Sequence, residues 1–189
     1  MPFGDGILQE LPDAKDGILQ EMPVGWRFAP TDEELIVSYL TKKVFVGSLP
    51  ARVIEEIDAD EFYNKRPKDL VENLSGEREW YFFINGDQYF HGKMEKDRKV
   101  ADGIGYWKSI GKENPIRDAE GNAFAFKILY TYFSANPTQK NSKQKRTHWR
   151  MEEFRLLRRS TKNEENFHME EWVVARITRG EDYNESRFY

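Results

Sequence analysis

The sequence predicts an α+β fold in which a single twisted antiparallel β-sheet is accompanied by a few short helices. Three observations carry this. An aromatic run at 79–84 ends in the turn triplet Asn85-Gly86-Asp87, a hairpin signal between strands. Further strand-length apolar segments at 105–109, 124–133, 148–157 and 171–177 are separated by turns rich in Gly, Pro, Asn and Lys, the spacing of an antiparallel sheet. A helix start is written at Thr31-Asp32-Glu33-Glu34, where Thr31 is an N-cap and Glu34, three residues on, completes a capping box.

In chain order, residues 1–21 contain a duplication, Asp5-Gly6-Ile7-Leu8-Gln9-Glu10 recurring as Asp16-Gly17-Ile18-Leu19-Gln20-Glu21. Two short copies are too few for a stacked repeat, so they read as an N-terminal arm, poorly ordered or locally docked, with an added edge strand or partner contact as the sharper alternative. From Met22 to Pro30 the chain is apolar and extended by its prolines. The helix opening at Thr31 buries a stripe of Leu35, Ile36, Tyr39 and Leu40. A break at 47–50 leads to a short turn and strand at 53–58, and Pro67-Lys68-Asp69-Leu70 begins another helical turn. The aromatic strand follows, and the segment from Gln88 should pair back on it. The remaining strands complete the sheet, the last after a polar loop at 160–166.

Composition bounds the function. One domain fits 189 residues, and the absence of Cys excludes disulfides and thiolate metal sites. No apolar run approaches the roughly 18 residues of a spanning helix, so a soluble cytosolic or nuclear protein is expected. The formal charge of −4 hides a division. Residues 1–90 hold 9 Lys+Arg against 18 Asp+Glu, residues 91–160 hold 16 against 8, and residues 161–189 hold 4 against 7. The basic middle centres on 91–111, where cations precede an aromatic pair and Lys108 set between glycines. Such a field is the footprint of a phosphate-binding face.

The motifs in order resemble those of the plant-specific NAC domain transcription factors. Residues 22–28 and 30–35 stand where that family has Leu-Pro-Pro-Gly-Phe-Arg-Phe and Pro-Thr-Asp-Glu-Glu-Leu. Residues 80–83 match Trp-Tyr-Phe-Phe, 105–111 match Gly-Tyr-Trp-Lys-Ala-Thr-Gly, 148–156 match Asn-Trp-Ile-Met-His-Glu-Tyr-Arg-Leu, and 172–177 match Trp-Val-Leu-Cys-Arg-Ile. The resemblance covers 22–177, implying a DNA-binding domain there between the arm (1–21) and a C-terminal tail (178–189). It also implies a nuclear protein that works as a homodimer, or a heterodimer with other family members, on double-stranded DNA, with no cofactor. The edge of the 105–111 strand would enter the major groove, which is wide enough for a β-strand. Lys108 and Ser109 would face the groove, Lys96, Arg98, Lys99 and Lys112 would flank it, and Lys127, Lys143, Lys145 and Arg146 would reach the backbone. Trp107 belongs to the same implied set, although a large aromatic beside glycine reads better as a buried brace. Pro23, Arg27 and Glu34 mark the implied dimer interface, where Arg27 and Glu34 would pair between subunits; an intrachain bridge or helix cap is the plainer reading.

Three departures stand out. Ser109-Ile110 replaces Ala-Thr, Phe126 replaces the first of two lysines and leaves Lys127 alone, and the 134–147 loop is longer and richer in Lys. Enzymatic function has no support: His91, His148 and His168 lie at no metal-ligand spacing, and no nucleophile elbow or phosphate-cradling Gly-rich loop is present. A dimerising interaction module with weakened DNA binding is the alternative that the acidic N-terminal half and Ser109-Ile110 leave open.

Overall fold

The computed structural model describes residues 27–47, 49, 53–74, 78–86, 97–99, 105–134, 145–157 and 172–180. Thr31 caps the first helix as expected: its Oγ1 accepts from the Glu34 N–H, and Glu34 Oε2 accepts from the Thr31 N–H, both at 3.1 Å. The helix runs through Asp32–Glu34, continues with π spacing over Leu35–Leu40 and returns to α geometry over Thr41–Phe45; together these form α1. Gly47 stops it at φ 72°, a conformation that glycine adopts without a Cβ clash.

Strand β1 (Glu55–Asp58) leads directly into α2 (Ala59–Asn64), capped by Asp58 Oδ1 accepting from the Asp60 N–H at 2.9 Å. Helix α3 (Pro67–Val71) starts at a proline whose missing N–H is not needed at that position. The remaining strands are β2 (Glu79–Asn85), β3 (Asp97–Lys99), β4 (Gly105–Ser109), β5 (Asn114–Arg117), β6 (Ala123–Ser134), β7 (Lys145–Leu156) and β8 (Trp172–Arg179). They form one sheet in the order β1-β2-β8-β7-β6-β4-β3, with β5 also on β6. All described pairings are antiparallel except β1 with β2, which is parallel. The expected α+β architecture is therefore present, with one parallel pair added.

The hairpin expected at 85–87 does not form on Phe82–Asn85, and the return strand expected from Gln88 lies outside the described residues. Phe82–Asn85 pairs with β1 on one edge, and all of β2 pairs with β8 on the other. A strand has only two hydrogen-bonding edges, so nothing can fold back on this part of β2. The long-range partners displaced the local turn preference.

The same topology explains the aromatic run. Side chains alternate between faces, so Trp80, Phe82 and Ile84 join a core with α2 and α3 through Phe62, Tyr63, Leu70 and Val71. Tyr81 and Phe83 join a second core under α1 with Leu35, Ile36 and Leu40. The sheet is thus the middle of three layers, and β2 needs apolar residues at every position because both its faces are covered. The α2–α3 core also encloses Glu153, fully buried, which accepts from the Tyr63 and Tyr130 hydroxyls and from Arg155.

Candidate nucleic-acid interface

Strand β4 carries the implied reading residues and lies second from the sheet end, between β3 and β6. Gly105 is required at its start: a Cβ there would lie 2.6 Å from the Phe133 carbonyl oxygen and against the Tyr132 ring. Trp107 is wholly buried on the α2–α3 side, edge-on to Tyr132 with ring centroids 5.2 Å apart. The structure therefore makes it a brace and withdraws it from the candidate DNA contacts, since its indole faces the core.

Lys108 points the other way and is exposed. Successive residues of a strand project to opposite faces, so Lys108 and Ser109 cannot both look onto one groove wall from the same face. Ser109 lies on the Trp107 side, half-exposed. Tyr106–Lys108 pairs with β3, through Lys99↔Tyr106, Arg98↔Trp107 and Asp97↔Lys108. Beyond that pairing, Ile110 is 41% exposed and its N–H bonds the Leu129 carbonyl at 2.7 Å, and Gly111 turns the chain at φ 76°.

Around β4 the structure places Lys112 exposed in the β4–β5 turn and Lys145 and Arg146 exposed at the start of β7, opposite Ser134 and Phe133. Lys108, Lys112, Lys145 and Arg146 make no ion pair with any described residue. Arg98 and Lys99 occupy β3. Lys96, Lys143 and Pro23 lie outside the described residues.

Lys127 is different. Its ammonium is 2.7 Å from Asp32 and 3.4 Å from Glu152, on the sheet face that α1 covers. Arg176, 13% exposed, binds the same two carboxylates at 2.7 and 2.5 Å and lies 3.7 Å from Glu79. Glu79 in turn takes Arg27 at 2.8 Å. Within the fold two carboxylates already pair with Lys127, the residue expected to reach the DNA backbone. Burial opposes the charge on Asp32, yet hydrogen bonds from Lys127 and Arg176 outweigh it and hold the carboxyl below its ordinary range. Burial likewise opposes the charge on Lys127 and Arg176, and their carboxylate partners push both upward.

Within the chain Arg27 bridges Glu79 and Glu34 closes the capping box, the plainer roles foreseen for them; the Arg27 side chain remains 71% exposed. Sequence reasoning missed Asp32, Glu79, Glu152 and Arg176 as one network, because they come from α1, β2, β7 and β8 and no local spacing joins them. It also missed Arg150, which shares a face with Arg146 only through the bulged pairing that sets them opposite Thr131 and Phe133 of β6.

The molecule is an α+β domain whose middle sheet ends in a flank of cations with no described ionic partner. The profile of the family described as No apical meristem (NAM) protein matches residues 23–156. NAC transcription factor 32 of Arabidopsis thaliana is 35% identical over 166 residues, covering 86% of this chain and 61% of the relative. NAC domain-containing protein JA2 of Solanum lycopersicum is 39% identical over 165 residues, covering 86% and 44%. Protein ATAF2 of Arabidopsis thaliana is 35% identical over 161 residues, covering 82% and 53%. The chain belongs to the NAC, or No apical meristem, family. It spans about half the length of these curated relatives.

Proposed function

We propose that this chain is the DNA-binding domain of a plant transcription factor that acts in the nucleus as a dimer on double-stranded DNA. The observation that supports it most is the segregation of cations. Under α1, Lys127 and Arg176 are bound by carboxylates, whereas Lys108, Lys112, Lys145 and Arg146, near the β4 end of the sheet, have no described acidic partner. Cations left unneutralised together raise a local positive potential that a polyanion relieves, releasing its condensed counterions. In this reading Lys108 reaches base edges or adjacent phosphates, Lys145, Arg146 and Lys112 hold the backbone, and Arg27 exchanges Glu79 for a carboxylate of the partner subunit.

Titration against duplexes carrying the family's core site and a scrambled site, at several salt concentrations, tests this. Specific binding that weakens steeply with salt, and falls in Lys108→Ala with an unchanged melting temperature, is expected. Exposed Ile110, at the threonine position of the family motif, favours one second reading, an interaction module. No preference over scrambled DNA at low salt, with the dimer intact, would select that reading instead.

A further inference from the structure

The register of the sheet brings Lys108 into line with a residue far away in sequence. Lys108 of β4 lies opposite Thr131 of β6, and Thr131 lies opposite Arg150 of β7. Directly opposed residues share a face, and neighbouring strands are about 4.8 Å apart, so Lys108 and Arg150 stand on one face roughly 10 Å from each other. Arg146 lies opposite Phe133, two residues beyond Thr131 on β6, and so joins the same face about 7 Å further along; β7 bulges between the two, with four residues against two.

Arg150 is held in a defined place without being neutralised. Its Nη1 donates to the carbonyl oxygens of Thr147 at 3.1 Å and Trp149 at 3.3 Å. Its Nε and Nη2 bond no described residue, and no described carboxylate pairs with it. Between the two cations, Thr131 is 1% exposed, and its hydroxyl, beneath the row, has no hydrogen-bond partner among the described residues. The neighbourhood is electrostatically unfavourable as it stands: burial, and then the positive charge of Arg146, make Arg150 less basic than an ordinary arginine. A guanidinium fixed by backbone carbonyls, with donors to spare and a second cation beside it, is built for a tetrahedral anion, because its planar fork matches two phosphate oxygens.

We propose that Arg150 and Arg146 of β7, with Lys108 of β4, form a phosphate-binding cradle for the backbone of duplex DNA alongside the reading strand. The occupant follows from continuity, since Lys108 is both the cradle's far wall and the exposed cation of β4. Duplex DNA offers one charge per 3.4 Å of axis on each strand, so a patch roughly 10 Å across the strands and about 7 Å along them spans about two phosphates. Arg150 stands where the family's Asn-Trp-Ile-Met motif has isoleucine, so the cradle departs from the family pattern. In the same row, the exchange of an apolar side chain for a guanidinium adds a contact to the backbone and none to the bases, and it acts on all sequences alike.

This inference rests on the DNA reading above, and one set of titrations separates the two. The full chain and its Arg150→Met, Arg150→Lys and Arg146→Gln variants are titrated with specific and scrambled duplexes across a salt series, with thermal melting alongside. Arg150→Met keeps the aliphatic stem and removes the charge. It is expected to flatten the log–log salt dependence by about 0.9 on both duplexes, which is an affinity loss of about eight-fold at 0.1 M salt relative to 1 M. Arg150→Lys should retain the slope, and Arg146→Gln, altered at an exposed position, should lose about as much as Arg150→Met. Wild-type binding with an unchanged slope in both Arg150→Met and Arg146→Gln overturns the cradle alone. A slope lost in Arg146→Gln but kept in a folded Arg150→Met also overturns it, since Arg150 is then no ligand. Absence of wild-type binding to any duplex at low salt overturns the DNA reading itself, and the cradle with it.

Discussion

Replacing Lys127 with methionine separates a fold-holding lysine from a DNA-holding one. The ammonium sits 2.7 Å from Asp32 and 3.4 Å from Glu152, and the side chain is 22% exposed. Fully exposed ion pairs contribute about 0.2–1 kcal/mol, and breaking a fully buried pair costs about 3–5 kcal/mol. Arg176 still holds both carboxylates at 2.7 and 2.5 Å, so neither is orphaned, and the loss should fall near 1.5 kcal/mol. For a domain of this size that lowers the melting temperature by about 3–6 °C. The pH dependence has a definite shape. The depressed Asp32 carboxyl contributes stability above its ordinary value of 3.8, lost as pH falls through the lower folded value. The raised Lys127 ammonium contributes below its ordinary 10.5, lost as pH rises through the higher folded value. The gap between wild type and Lys127→Met should therefore be a plateau between about pH 4 and 10.5 that closes at either end. The assays are thermal melting across pH and DNA titration across salt, and the salt slope should not change. A slope lowered by about 0.9 with an unaltered melting temperature would refute this reasoning and restore Lys127 as a phosphate ligand.

Two further outcomes follow from the same geometry. Gly105→Ala would drive a Cβ to 2.6 Å from the Phe133 carbonyl oxygen; overpacking of this kind costs about 1–3 kcal/mol, so calorimetry should show a melting point lower by about 2–12 °C and titration a weaker complex, since Lys108 rides on the displaced strand. Arg27→Glu places two carboxylates together at Glu79 and removes the guanidinium offered to a partner; sedimentation should show a shift toward monomer, and a dimer that persists at the same concentration would take Arg27 out of the proposed interface.

Much of the fold was legible because it depends on local chemistry. The capping box at Thr31 and Glu34 formed as written, and the apolar stripe of Leu35, Ile36, Tyr39 and Leu40 lies inward. Each of the five strands read from alternation and aromatic content exists within a few residues of its expected bounds. Short elements with little apolar content escaped: β3 and β5 are three and four residues long, and β5 contains Pro115, tolerated there because the only described pairing of β5 is with β6. The hairpin at Asn85-Gly86 failed for a different reason. Turn preference amounts to a local bias, whereas pairing with β1 and β8 engages both edges of β2 and places its aromatics in two cores.

The division is similar at the site. The chain's own order of residues determined that the middle third is basic and that Gly105 precedes an aromatic pair and a lysine; the structure decided that Trp107 packs. It could not determine which cations remain free. Lys127 and Lys145 are the same letter, but one meets Asp32 and Glu152 from α1 and β7 while the other meets no described carboxylate. Nor could it show that Lys108 and Ser109 look opposite ways while Lys108 and Arg150, 42 positions apart, look the same way. Charge and propensity belong to residues and can be read singly; neutralisation and shared facing belong to pairs, and only the registers of β4, β6, β7 and β8 decide which pairs meet.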